Sequence, residues 1–88
     1  MPVLRMTNSD FELAISVDQL IKELQAAKDA GVITGASKVV MSQMCGKNIF
    51  PIQAVVAPGK VQGDYDVVAL SHNTEEELLA TGLFEQHA

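Results

Sequence analysis

The clearest pattern in the chain is an apolar stripe at helical spacing between Ser16 and Gly31. The stripe consists of Val17, Leu20, Ile21, Leu24 and Ala27. This period predicts an amphipathic helix. Ser16 and Gln19 have the spacing of a capping box at its start, and Gly31 supplies the left-handed residue that ends a helix. Because the stripe lies on one side only, we expect the helix to cover a sheet.

Other segments have the alternation or composition of β-strands. Phe11, Leu13 and Ile15 alternate with other residues, so a strand is predicted to lead into the helix. Three apolar segments bounded by turn formers predict further strands at residues 38–44, 49–57 and 65–71. Pro51 has no N–H, so the second of these strands is an edge at that point or begins there. Residues 1–6 are either a short strand or a flexible lead-in.

A second, shorter helix is predicted after the last strand. Thr74 and Glu77 have the spacing of a capping box, and Gly82 would end the helix. Residues 84–88 are expected to fray. The elements together predict one α+β domain over residues 1–88, with the order β-α-β-β-β and a short C-terminal helix. The main helix is expected to pack on an antiparallel or mixed sheet.

Composition adds expectations about assembly and compartment. Apolar residues make up 48% of the 88-residue chain and charged residues only 19%, which favours self-association into a homo-oligomer, or a permanent partner, that covers the excess. Cys45 is the only cysteine, so an intrachain disulfide is excluded and a reducing compartment is favoured. No secretion signal is recognisable, and no apolar run reaches the ~18 residues of a membrane helix. We therefore expect a cytoplasmic protein without membrane contact.

The charge of the chain is concentrated near its C-terminus. The net charge is −5, and residues 61–88 contain no Lys or Arg. This distribution disfavours binding to nucleic-acid phosphates and fits either a basic protein partner or a role in solubility alone. The candidate partner-binding residues are Asp64, Asp66, Glu75, Glu76 and Glu77.

Catalytic and metal chemistry has weaker support. Cys45 and His72 could act as nucleophile and base, but no third, orienting group is indicated. The spacing of Cys45, His72 and His87 matches no zinc pattern, and Asp64 and Asp66 lack the further oxygen ligands of a calcium loop. We therefore predict a protein that is not an enzyme and has no metal or cofactor. The alternative is a small-ligand-binding domain or minor enzyme, with a pocket at a subunit interface near Cys45, Tyr65 and His72.

Several of these segments together resemble small α/β proteins of unknown function from phages and mobile elements. The resemblance is carried by four groups of residues in the helix and strands: Val17, Leu20, Ile21 and Leu24; Val39 and Val40; Pro51 and Ile52; and residues 63–70. It spans roughly residues 15–71 and implies a host-interaction or accessory role. It brings no catalytic residues with it.

Overall fold

The computed structural model describes residues 4–43, 48–59, 61–62 and 65–85 of the chain. Within them lie three helices: α1 Asn8–Leu13, α2 Val17–Asp29 and α3 Glu75–Ala80. The seven strands are β1 Leu4–Arg5, β2 Val40–Gln43, β3 Asn48–Pro51, β4 Ala54–Pro58, β5 Val61–Gln62, β6 Ala69–Ser71 and β7 Phe84–Glu85. The predicted α+β class is confirmed, with one main helix, a short C-terminal helix and antiparallel sheets.

These helices and strands fall into two compact units. The helical unit is residues 8–38 and contains α1 and α2. The strand unit is residues 1–7 together with 39–88 and contains the strands and α3. The single-domain organisation and the packing of α2 on a sheet stay predictions.

The start and end of α2 agree with the sequence signals. Ser16 has extended backbone and its hydroxyl accepts a hydrogen bond from the amide of Gln19 at 3.0 Å. The reciprocal half of the predicted box is wrong, because the Gln19 side chain donates to Glu23 at 3.1 Å instead. At the other end Gly31 has φ 76°, and the amide of Val32 donates to the carbonyl of Ala27 at 3.0 Å. This pair of features closes the helix with a Schellman motif.

The strand predicted around Phe11, Leu13 and Ile15 is wrong, because α1 occupies Asn8–Leu13. The amide of Ala14 donates to the carbonyl of Asp10 at 3.2 Å, which is the bond that continues a helical turn. Three alternating positions are too few to separate a strand from a short helix. Asn8, Ser9 and Asp10, which begin α1, are residue types that favour turns and helix starts alike. The first strand is β1, at the beginning of the chain.

The predicted strand at residues 49–57 is two strands with different partners. β3 pairs antiparallel with β2, whereas β4 pairs antiparallel with β6 and β7. The change occurs after Pro51: the amide of Ile52 donates to Val39 at 3.0 Å, and that of Gln53 donates to Ser71 at 2.8 Å. Pro51 lacks an N–H and so cannot donate to the ladder at the position where one pairing ends.

The C-terminal elements form the core of the strand unit. β4 is the centre of a three-stranded sheet in the order β6-β4-β7. Among the described residues the buried apolar side chains are Ala54, Val56 and Leu78, with Ala69 and Phe84 packed against them. Two predictions need correction here. The last predicted strand is only Ala69–Ser71 and lies at an edge, and Phe84–Glu85 form β7 rather than a frayed end.

The pairing of β7 depends on a long-range contact that no local pattern shows. Ala57 lies opposite Glu85 and Pro58 opposite Phe84. The amide of Gly59 continues this pairing by donating to the carbonyl of Leu83 at 2.8 Å. The segment that follows α3 is thereby held beside β4.

Candidate functional site

The acidic surface consists of Asp66, Glu75, Glu76 and Glu77, and Asp64 of the predicted set lies outside the described residues. Asp66 lies in the irregular segment before β6, and the three glutamates form the first turn of α3. Asp66, Glu76 and Glu77 are exposed, and Glu75 is half-buried. Carboxylates in the first turn complement the positive end of the helix dipole, so local structure accounts for part of this cluster.

Glu77 has a structural role that separates it from the other three residues. Its Oε1 accepts hydrogen bonds from the amide and hydroxyl of Thr74, at 3.0 and 2.9 Å. The Thr74 hydroxyl in turn accepts from the amide of Glu77 at 3.2 Å, so the predicted capping box is confirmed. The backbone and side-chain hydrogen bonds from Thr74 lower the pKa of Glu77, and the positive charge of His72 adds a smaller effect. Glu77 therefore stabilises the N-terminal end of α3.

The other carboxylates of the acidic surface are available to an external group. Within the described part of the chain, Asp66, Glu75 and Glu76 have no hydrogen bond or ion pair from their side chains. The sequence from residue 61 onward also supplies no Lys or Arg to neutralise them. Such a surface attracts cationic groups, with an interaction that salt screens.

Two of the three alternative ligand residues, Tyr65 and His72, lie within the described residues. His72 is exposed at the end of β6, and its ring centroid lies 5.4 Å from that of Phe50 at an interplanar angle of 40°. Its carbonyl accepts a hydrogen bond from the side chain of Gln53 at 2.8 Å. Tyr65 is half-buried, and Cys45 lies outside the described residues. The pairing of Cys45 with His72 therefore stays a prediction.

A cavity of about 270 Å³ lies in the strand unit, and neither Tyr65 nor His72 lines it. Its wall is mostly apolar, with one guanidinium-bearing residue; it is formed by Leu4, Arg5, Met6, Pro58, Val67, Val68, Ala69 and Phe84. Sites for small molecules usually enclose about 300–1,000 Å³, so the volume of this cavity is slightly below that range. Sequence reasoning missed it, because its wall combines segments from both ends of the chain.

The main helix carries an exposed apolar surface. The α2 face is defined here as Val17, Leu20, Ile21, Leu24 and Ala27. Val17 is 54% exposed, Ile21 59% and Leu24 44%. Leu20 and Ala27 are half-buried, and α2 has no buried residue. The helical spacing of these apolar residues is visible in the sequence, but the exposure of their side chains is not.

The described residues contain neither a cluster of metal ligands nor a membrane helix. Among the described residues, no group of three or more His, Cys, Asp or Glu side chains is arranged to hold a metal ion. No helix in those residues combines the length and the apolar character that a membrane crossing needs. No protein-family model, curated protein or solved structure shows a significant match to the chain.

Proposed function

We propose that this chain is a non-enzymatic protein-interaction module that works as a homo-oligomer and presents an acidic surface to a basic protein partner. The observation that carries the proposal is the exposure of large apolar side chains in the helical unit. Val17, Ile21 and Leu24 recur at helical spacing on one side of α2 and are 54%, 59% and 44% exposed, and a continuous exposed apolar patch is typical of a surface that another protein covers. The described core, by contrast, contains three buried side chains.

The acidic surface adds a second, chemically different contact. Asp66, Glu75 and Glu76 are the proposed partner-binding carboxylates, with Asp64 beside them in sequence. Glu77 contributes its charge but is committed to the cap of α3. The resemblance to phage and mobile-element proteins suggests that the partner belongs to a host cell, and an accessory role in the cytoplasm is part of the proposal.

Native mass spectrometry of the untagged protein tests self-association. We expect a dimer or higher oligomer without added mass, because apolar surface is exposed in each copy. A monomer at every concentration up to the solubility limit would overturn the homo-oligomer.

A synthetic Lys-rich peptide tests the acidic surface. Glu75→Gln/Glu76→Gln should weaken binding of this peptide several-fold at low salt, because two unpaired charges are removed. The matched control is Glu12→Gln/Asp29→Asn, which removes two charges from the helical unit. Equal loss of binding in both double variants would mean that only net charge matters, and the acidic surface would be rejected.

A small-ligand-binding role is the second candidate, and the cavity beside Phe84 favours it. Its wall is apolar apart from Arg5, which has no counter-ion among the described residues. A small molecule with an apolar body and an anionic group would match this chemistry. In the same native mass spectra, a reproducible adduct of small-molecule mass that disappears in Ala69→Phe would favour this candidate. Spectra without any such adduct would count against it.

A further inference from the structure

The apolar positions of α2 have the spacing of a short coiled coil. With Val17 placed at heptad position a, Leu20 falls at d, Leu24 at the next a and Ala27 at the next d. The first heptad, with Val17 at a and Leu20 at d, has the combination that favours two-stranded parallel pairing, and the second has Leu24 at a and Ala27 at d. Val17 and Leu24 are both exposed, at 54% and 44%, so the seam is accessible to a second helix.

The residues that flank this seam have complementary charges. Glu23 falls at position g and Lys28 at position e of the next heptad, five residues later. Both side chains are exposed. In the described part of the chain, Lys28 has no hydrogen bond or ion pair. The Glu23 carboxylate there accepts one hydrogen bond, from the side-chain amide of Gln19 at 3.1 Å. Each can therefore take a partner of opposite charge.

The direction of pairing follows from these positions. In a parallel pair, a g side chain lies beside the e side chain of the following heptad on the partner helix, and such pairs set orientation. Glu23 of each copy would face Lys28 of the partner subunit, twice by symmetry. An antiparallel pair sets g against g and e against e, and α2 offers no opposite charges in those combinations.

We propose that α2 pairs in parallel with α2 of a second copy, with Glu23 beside Lys28 of the partner subunit. The seam consists of Val17, Leu20, Leu24 and Ala27. This inference rests on the self-association proposed above and names its surface and orientation. The helix is 13 residues long, which is about 20 Å, so the seam contains fewer than two full heptads. A contact of this size is expected to be reversible, with a dissociation constant in about the micromolar range or weaker.

Charge reversal tests the side chains that flank the seam. Lys28→Glu places a second carboxylate beside Glu23 of the partner subunit at both symmetric contacts, and we expect dimer affinity to fall about tenfold. Lys22→Glu is the matched control, because it makes the same substitution on the opposite side of α2 and should leave the dimer unchanged. Sedimentation equilibrium gives the dissociation constant, and circular dichroism checks that helix content is preserved.

The double variant Glu23→Lys/Lys28→Glu separates a contact between copies from an effect on the helix itself. It restores two opposite-charge pairs with their signs exchanged, so dimer affinity should return to within about threefold of the wild type. Failure of this rescue, or an equal loss in Lys22→Glu, would overturn the proposed pairing. A wild-type protein that is monomeric throughout would instead reject self-association as a whole.

Cross-linking tests the orientation directly. Val17→Cys in a Cys45→Ser background places the only thiol of each copy at the beginning of α2. In a parallel dimer the two thiols lie together, whereas an antiparallel dimer sets them at opposite ends of a helix about 20 Å long. We expect rapid disulfide formation under mild oxidation. Absence of the disulfide in a protein that still dimerises would overturn the parallel arrangement.

Discussion

The helical unit and the strand unit use their apolar residues in opposite ways. In the strand unit, Val56 is fully buried at 0% exposure and Leu78 nearly so at 7%. In the helical unit, Leu13 and Ile21 are 83% and 59% exposed, and neither of its helices contains a buried residue. The buried side chains of the described residues therefore lie in the strand unit, whereas the large apolar side chains of α2 at Val17, Ile21 and Leu24 are exposed.

Core truncation gives the largest expected difference between the units. Leu78→Ala removes a buried side chain packed against Ala54 and Val56, and should lower the free energy of unfolding by about 2–5 kcal/mol. Ile21→Ala removes a side chain that is 59% exposed. It should change the free energy of unfolding of the monomer by no more than about 0.5 kcal/mol. Urea denaturation at low protein concentration measures both changes. Equal losses would show that α2 belongs to the folding core, and the contrast would disappear.

Removal of the helix caps gives a smaller difference. Thr74→Ala deletes the hydroxyl that accepts from the Glu77 amide, and should cost about 1 kcal/mol because α3 carries Leu78 into the core. Ser16→Ala deletes the hydroxyl that accepts from the Gln19 amide, and should loosen α2 by a similar local amount. Amide hydrogen exchange distinguishes them: Thr74→Ala should accelerate exchange in β4, and Ser16→Ala only within the helical unit. Acceleration of β4 in both variants would mean that the units unfold together.

The smallest expected effect is a pH dependence in the strand unit. The pKa of Glu77 is lowered in the folded protein by hydrogen bonds from Thr74. The unfolded chain therefore binds a proton more readily, so this stabilisation is present above the ordinary carboxyl pKa and is lost as the pH falls through the lower, folded value. Stability should decline on acidification below about pH 4.5, and the decline should be shallower in Glu77→Gln than in Glu76→Gln. Identical slopes in urea titrations of both variants would contradict the role of Glu77.

The candidate sites could be predicted from the sequence only in part. The charges of Glu75, Glu76 and Asp66 and the stripe on α2 are visible as residue types and spacings. That Glu77 is also part of the cap was predicted from the spacing Thr74-x-x-Glu77, because both partners lie within one turn. The cavity beside Phe84 could not be predicted, since its wall joins the beginning of the chain to residues more than fifty positions away.

The sequence by itself determined the features that depend on a few neighbouring residues. The beginnings of α2 and α3 at Ser16 and Thr74 and the end of α2 at Gly31 follow from hydrogen bonds and backbone angles within one turn. Only the tertiary structure decided pairing and burial. The change of partner after Pro51, the addition of β7 to β4 and the burial of Val56 all depend on residues far apart in the chain. An apolar pattern specifies which side of an element avoids water, but the partner that covers that side is set by contacts that the pattern does not contain.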